Sequence, residues 1–254
     1  MLNYVEHGTP NGQPPILIVP GLFGSARNWG VIAKRLSNAR HVVAVDMRNH
    51  GNSFWDASHS YADMAGDLAE VIAHFGGKAD VLGHSMGGKA AMVLALTSPQ
   101  MVNRLIVADI APVSYNHTQM HLVEAMKALD LSKIEKRSDA NRLLAQQIET
   151  PSVRAFLLQS LDVAAKRWRL NLDALGTNMD QVLGFPEIEG QFDGSTLFLS
   201  GAESDYVSAD HRPLIRNLFP QAKFAKIPGA GHWLHADKPR EFEAAIEVFL
   251  QMTA

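Results

Sequence analysis

Apolar positions recur along the chain with two different periods, and the two alternate. Ile16-Leu17-Ile18-Val19 is a short continuous apolar run closed by Pro20-Gly21, the pattern of a strand buried on both faces. Residues 28–36 then place Trp29, Ile32, Ala33 and Leu36 at helical spacing. His41-Val42-Val43-Ala44-Val45-Asp46 predicts a second strand, and Met64, Leu68, Val71, Ile72 and Phe75 predict a helix over 61–75 that Gly76-Gly77 ends. A third strand at Ala79-Asp80-Val81-Leu82, an alanine-rich helix over 87–97 and a fourth strand over 104–109 follow. Strand and helix taking turns in this way argues for a mostly parallel sheet covered by helices on both faces.

The alternation breaks at about residue 113. From there to 189 no buried strand is evident, and amphipathic helical stretches occupy 121–129, 139–149, 152–161 and 171–176. The pattern resumes with a strand over 195–201, a helix near 214–219, a strand over 222–227 and a final amphipathic helix over about 239–252. The expected organisation is an α/β body formed by 1–112 and 190–254, interrupted by one helical insertion, 113–189, that forms a cap. There is no internal repeat, low-complexity tract or long linker.

Composition narrows the chemistry. The chain has 254 residues and no cysteine, which removes disulfide frameworks, thiolate metal sites and a Cys nucleophile together. Twenty-three basic residues against 26 acidic ones leave no excess to neutralise phosphates, so nucleic acid is not an expected partner. No apolar run reaches the length of a bilayer-spanning helix, and Met1-Leu2-Asn3-Tyr4-Val5-Glu6-His7 lacks the basic and apolar regions of a signal peptide. A cytoplasmic protein, monomeric or a small homo-oligomer, is the expectation.

One motif carries the chemistry. The third strand runs into Gly83-His84-Ser85-Met86-Gly87-Gly88, after which a helix starts. This is a G-x-S-x-G nucleophile elbow in its required setting of strand, sharp turn and helix. The turn projects the Ser85 hydroxyl clear of the sheet edge, and the small residues two before and two after relieve crowding. The amide of Met86, in the first helical turn, faces a developing oxyanion. A second oxyanion amide is expected from Leu22, in Pro20-Gly21-Leu22-Phe23-Gly24-Ser25 after the first buried strand. A serine at the elbow also disfavours dehalogenase and epoxide-hydrolase chemistry, which use Asp there.

A nucleophilic serine needs a base held by a third group. Of 11 histidines, His232 stands after the last strand in Ile227-Pro228-Gly229-Ala230-Gly231-His232-Trp233, where this fold presents its base; His235 is a near competitor. His84 adjoins the nucleophile, but consecutive side chains diverge along an elbow. His41 and His50 fall at the wrong strand ends. The acid has two candidates. The usual loop, Gly201-Ala202-Glu203-Ser204-Asp205-Tyr206, has a serine at the G-x-x-D position and Asp205 one residue late. Asp109, at the end of the fourth strand in Ala108-Asp109-Ile110-Ala111-Pro112, is a charge between apolar neighbours that needs a partner.

These motifs resemble the α/β-hydrolase fold superfamily over nearly the whole chain. The narrower likeness, in Leu22-Phe23-Gly24-Ser25, in Asp46-Met47-Arg48-Asn49-His50-Gly51-Asn52-Ser53, in the elbow through Lys89 and in the segment 108–112, is to a group of YbfF-type bacterial esterases and mammalian abhydrolase-domain protein 11. The resemblance implies that the acid is Asp109 and that Ser204 supports the histidine, with Asp205 as the alternative acid. Residues 46–53 are expected to form a structural turn near the site, with Arg48 pairing to buried carboxylates.

The expected reaction is acyl transfer to water on a small ester or thioester, with neither cofactor nor metal, through an acyl-enzyme on Ser85. Phe23 and the cap residues Leu122, Met126, Phe156 and Trp168 are the candidate acyl-pocket residues, favouring uncharged acyl groups of short to medium length. Competing readings keep the triad but change the bond, as in a C–C bond hydrolase or a perhydrolase. A slow-turnover ligand receptor on the same fold is a third.

Overall fold

The computed structural model describes residues 1–252. Seven strands form one sheet: β1 (Tyr4–His7), β2 (Ile16–Val19), β3 (Val42–Val45), β4 (Ala79–His84), β5 (Val102–Ala108), and, past a long insertion, β8 (Thr196–Gly201) and β9 (Ala222–Ile227). Their order is β1-β3-β2-β4-β5-β8-β9, with β1 antiparallel to β3 and every other pairing parallel. The chain crosses the sheet so that β4, bearing the elbow, lies at the centre, where its C-terminal edge faces neighbours on both sides.

The continuous apolar runs are explained by the two cores they feed. Leu17, Val19, Val43, Val45 and Val81 pack on one side with α2 (Tyr61–His74) and α3 (Met86–Thr97). Ile16, Ile18, Val42, Ala44 and Leu82 pack on the other with α1 (Gly30–Leu36) and α11 (Pro239–Gln251). Successive strand residues point to opposite faces, so a strand covered twice must be apolar throughout. Apart from its terminal Thr97, α3 is buried from end to end. Its alanines and glycines let it lie close against the sheet and α2.

The insertion leaves the sheet after β5 and returns at β8, which pairs directly with β5 from Leu105↔Thr196 to Ala108↔Leu199. It contains α4 (Met120–Lys127), α5 (Arg137–Leu144), α6 (Pro151–Leu157), a two-stranded ribbon of β6 (Leu161–Asp162) and β7 (Arg167–Trp168), α7 (Leu172–Thr177) and α8 (Met179–Leu183). The ribbon, α8 and the edge strand β1 lay outside the sequence-based expectation. The remaining core helices are α9 (Arg212–Leu218) and the short α10 (Leu234–Asp237). No helix among the described residues is long and apolar enough to cross a membrane.

The insertion is sewn to the body by polar contacts. Asn171 donates its backbone N–H to Asn49 O (3.0 Å), and Ser160 Oγ donates to Phe23 O (3.0 Å). Below it, Arg48 grips Asp67 with two bonds, Nε to Oδ2 at 2.6 Å and Nη2 to Oδ1 at 2.9 Å, with both side chains buried. Breaking a buried pair strands the surviving charge. Arg48→Met is therefore expected to cost about 3–5 kcal/mol of unfolding free energy, read from the chemical denaturation midpoint; a loss indistinguishable from zero would show that the pair carries no weight.

Candidate active site

Ser85 sits between β4 and α3 at φ 52°, ψ −123°, a conformation an L residue adopts only under constraint. The constraint is close packing around the elbow. A Cβ on Gly83 would lie 2.4 Å from Gly87 O, and one on Gly87 would lie 2.3 Å from Val19 O. Only glycine lets the turn close on itself and on the neighbouring strand.

The structure brings four of the predicted polar side chains together. His232 Nε2 accepts from Ser85 Oγ at 3.1 Å. His232 Nδ1–H donates to Asp109 Oδ2 at 2.8 Å, and Ser204 Oγ donates to the same oxygen at 2.5 Å. The other carboxylate oxygen accepts the amide of Gly201 at 3.0 Å. Asp109 is fully buried and stands at φ 52°. Asp205 is exposed and has no bond to His232 among the described residues; the carboxylate bonded to His232 is that of Asp109. The loops of acid and base are pressed together: a Cβ on Gly201 would lie 2.3 Å from Gly231 O.

The other histidines have separate posts. His84 points away from Ser85 and donates from Nε2 to the backbone oxygen of His232 at 2.8 Å, steadying the base from behind. Burial, with His235 and His232 nearby, pushes its pKa well down. His235 stacks on Trp29 with ring centroids 4.1 Å apart and makes no bond to Ser85. Tyr206, which no sequence pattern marks, stacks its ring on His232 at 4.0 Å and 19°. Its backbone oxygen is held by Tyr115 Oη at 2.7 Å.

The turn at 46–53 braces the loop that follows β2. Asp46 accepts the amide of Ala26 (2.8 Å) on one carboxylate oxygen and that of Asn52 (2.9 Å) on the other. Gly51, at φ 57°, leaves room for that carboxylate, which a Cβ there would meet at 2.3 Å. His50 Nδ1–H donates to Arg48 O at 2.9 Å, which leaves Nε2 free to accept the amide of Phe23 at 3.0 Å. The Phe23 N–H is thereby committed, and Leu22 is the adjacent amide available to a ligand. His50 must stay neutral to accept, and complete burial lowers its pKa to about 4.

An apolar pocket opens over Ser85. Its walls include Leu22 and Phe23 from the body, Leu122 and Phe156 from the insertion, and Trp233 beside the base. Met126 and Trp168 do not belong to it, contrary to the sequence-based expectation. Met126 is fully buried, and Trp168 donates its indole N–H to Met126 O at 3.0 Å within the insertion's own core. Their apolar character marks both as inward-facing but does not say toward which side of the insertion.

Residues 14–239 match the model of the alpha/beta hydrolase fold family, and the chain belongs to that family. Several relatives are named as ester hydrolases. It is 42% identical over 98% of its length, and 82% of the relative's, to the sn-1-specific diacylglycerol lipase ABHD11 of Danio rerio. It is 39% identical to Esterase YbfF of Escherichia coli, covering 94% of both chains. A solved marine microorganism esterase superposes with a TM-score of 0.92 at 36% identity, covering 98% of both chains.

Burial also sets an acid limit. His59 is lowered to about 3 by burial and by its charged neighbours, alongside His50 at about 4 and the depressed His84. In the unfolded chain each regains the ordinary value near 6.5. The folded form therefore loses stability as pH falls below that value, at a limiting rate of about 1.4 kcal/mol per pH unit per histidine. The denaturation midpoint is expected to be flat from pH 8 to 7 and to drop steeply from 6 to 4; a flat profile down to 4 would contradict neutral burial.

Proposed function

We propose that this chain is a serine carboxylesterase that hydrolyses short-to-medium acyl esters through an acyl-enzyme on Ser85. The observation that carries the reading is the unbroken bonded series from Ser85 Oγ through His232 to the buried Asp109 carboxylate. In the proposed reaction His232 takes the Ser85 proton as Oγ attacks the ester carbonyl. Asp109 holds the imidazole with Nδ1 protonated and balances the imidazolium that forms. Ser204 and the Gly201 amide fix the carboxylate so that it faces the ring. The amides of Leu22 and Met86 receive the oxyanion. His232 then gives its proton to the departing alcohol. Water, deprotonated by the same nitrogen, attacks the acyl carbonyl and releases the acid with Ser85 restored.

The pocket favours the substrate class. Its apolar walls offer an acyl chain burial worth about 0.8 kcal/mol per methylene, and the helical insertion acts as a cap that bounds the chain's length. The names of the relatives agree with ester hydrolysis. A thioester is open to the same chemistry.

With p-nitrophenyl butyrate, Ser85→Ala is expected to lower kcat by about 10⁴-fold or more and to abolish labelling by a fluorophosphonate. Wild-type turnover by that variant would refute the assignment. Asp109→Asn is expected to lower kcat by about 10⁴-fold, as loss of the orienting carboxylate does elsewhere, whereas Asp205→Asn should leave the rate within about threefold. The reverse ranking would move the acid to Asp205.

A further inference from the structure

One buried charge near the site takes no part in the reaction above. Lys89 follows Ser85 by one helical turn, and its amide donates to Ser85 O at 3.1 Å. Its side chain is 1% exposed, contributes to the pocket wall and has no carboxylate within ion-pair distance among the described residues. Nζ instead donates to Leu183 O at 2.8 Å and Gly184 O at 2.6 Å, at the C-terminal end of α8. The ammonium also lies 4.8 Å from the ring centroid of Tyr115 and 5.8 Å from that of Tyr61. Tyr61 in turn donates its hydroxyl to Val182 O at 2.6 Å.

Three consecutive carbonyls of the insertion are thus held by two side chains of the body, from α2 and α3. Carbonyls at a helix end have no partner within the helix. Left unpaired in a buried site, each carries the desolvation penalty of a lost hydrogen bond. Burial alone lowers the Lys89 ammonium from its ordinary value to about 7. The same two residues whose carbonyls are gripped first, Val182 and Leu183, turn their other side to the pocket as part of its apolar lining. The grip and the wall are one piece of chain.

We infer that Lys89 and Tyr61 form a clasp that fixes the α8 wall of the acyl pocket and so determines the length of acyl chain the site accepts. The inference rests on the esterase reading proposed above. Lys89 is a positioning residue in this scheme. It acts on the substrate through the wall it holds and has no part in proton transfer. Without the clasp Val182 O and Gly184 O lose these donors and Leu183 O keeps only the amide of Tyr115 (3.0 Å), so the wall held at three points is held at one and shifts toward water. A wall that has receded loses contact with a short chain and admits a longer one.

The test is the acyl-length profile of kcat/KM on p-nitrophenyl esters from acetate to dodecanoate, for the wild type, Lys89→Met and Tyr61→Phe. Lys89→Met is expected to lose about tenfold on butyrate, the scale of one buried hydrogen bond, while decanoate hydrolysis holds or rises. Tyr61→Phe, which removes one bond and leaves the ring, should tilt the profile the same way by about threefold. Labelling of Ser85 by a small ethyl fluorophosphonate should stay within about threefold of wild type in both, since the elbow is untouched. A uniform fall across all chain lengths, or an unchanged profile in both variants, overturns the clasp as a specificity device. Where Lys89→Met does not fold, Tyr61→Phe decides the matter alone. A wild type that hydrolyses none of these esters overturns the esterase reading, and the clasp inference with it, which is a different result from turnover with an unaltered profile.

Discussion

The site is organised around a fully buried carboxylate. Asp109 lies at the end of β5 with no exposure, and a charge in that position persists only if it is hydrogen-bonded. Three donors meet it: the amide of Gly201, the hydroxyl of Ser204 and the ring of His232. The first two come from the end of β8 and its loop and the third from the loop after β9, so satisfying the charge draws these and the end of β5 to one point. The parallel sheet makes this possible, because parallel strands present their C-terminal ends along a single edge. The pairing of β5 with β8 across the whole insertion keeps acid and base adjacent, although 122 residues intervene between Asp109 and His232.

A second buried group does for the oxyanion loop what Asp109 does for the base. His50 receives the amide of Phe23 and gives its own N–H to Arg48 O, a role open only to a neutral imidazole. Asp46 anchors the next stretch of the same loop at Ala26, and Arg48 ties the turn to α2 through Asp67. Residues 46–53 therefore decide which amides of the loop remain free. Committing Phe23 leaves the amide of Leu22 as its unpaired neighbour, and the backbone is steered with buried side chains.

Much of this was legible in the order of residues, for identifiable reasons. The elbow could be read because its strand, turn and helix are contiguous and its glycines are sterically required. His232 could be read because it follows the last buried strand in a glycine-rich loop. The acid could not be read from spacing alone: Asp205 and Asp109 both satisfied chain order, and only the packing of β5 against β8 separates them. Tyr206 was silent because a ring stacked on an imidazole leaves no periodic trace. The short α8 and α10 fell below the length at which helical period shows, and β1 is an edge strand with a half-exposed pattern rather than an apolar run. Met126, on α4, and Trp168, on β7, are both apolar residues of the insertion, and the sequence does not distinguish a side chain facing the pocket from one facing the insertion's own core. The distinction appears only when Trp168 is seen bonded to Met126 O.

Where the backbone is strained sharpens the account. Among the described residues five non-glycine residues have positive φ, and four of them, Phe23, Asn49, Ser85 and Asp109, belong to the site or its scaffold; Lys166, in the ribbon turn, is the exception. Such conformations cost of order 1–3 kcal/mol each and persist only where surroundings over-determine them. At Ser85 the surroundings are the glycines and the neighbouring strand. At Asp109 they are its three donors, and at Phe23 the His50 ring and the Ser160 hydroxyl that take its amide and its carbonyl. Asn49 gives its carbonyl to Asn171 and its side-chain oxygen to Asp56 N. Two of these four anchors, Ser160 and Asn171, come from the inserted segment. The insertion therefore does more than line the pocket: it helps hold the loop after β2 in a conformation that the body alone would have less means to enforce.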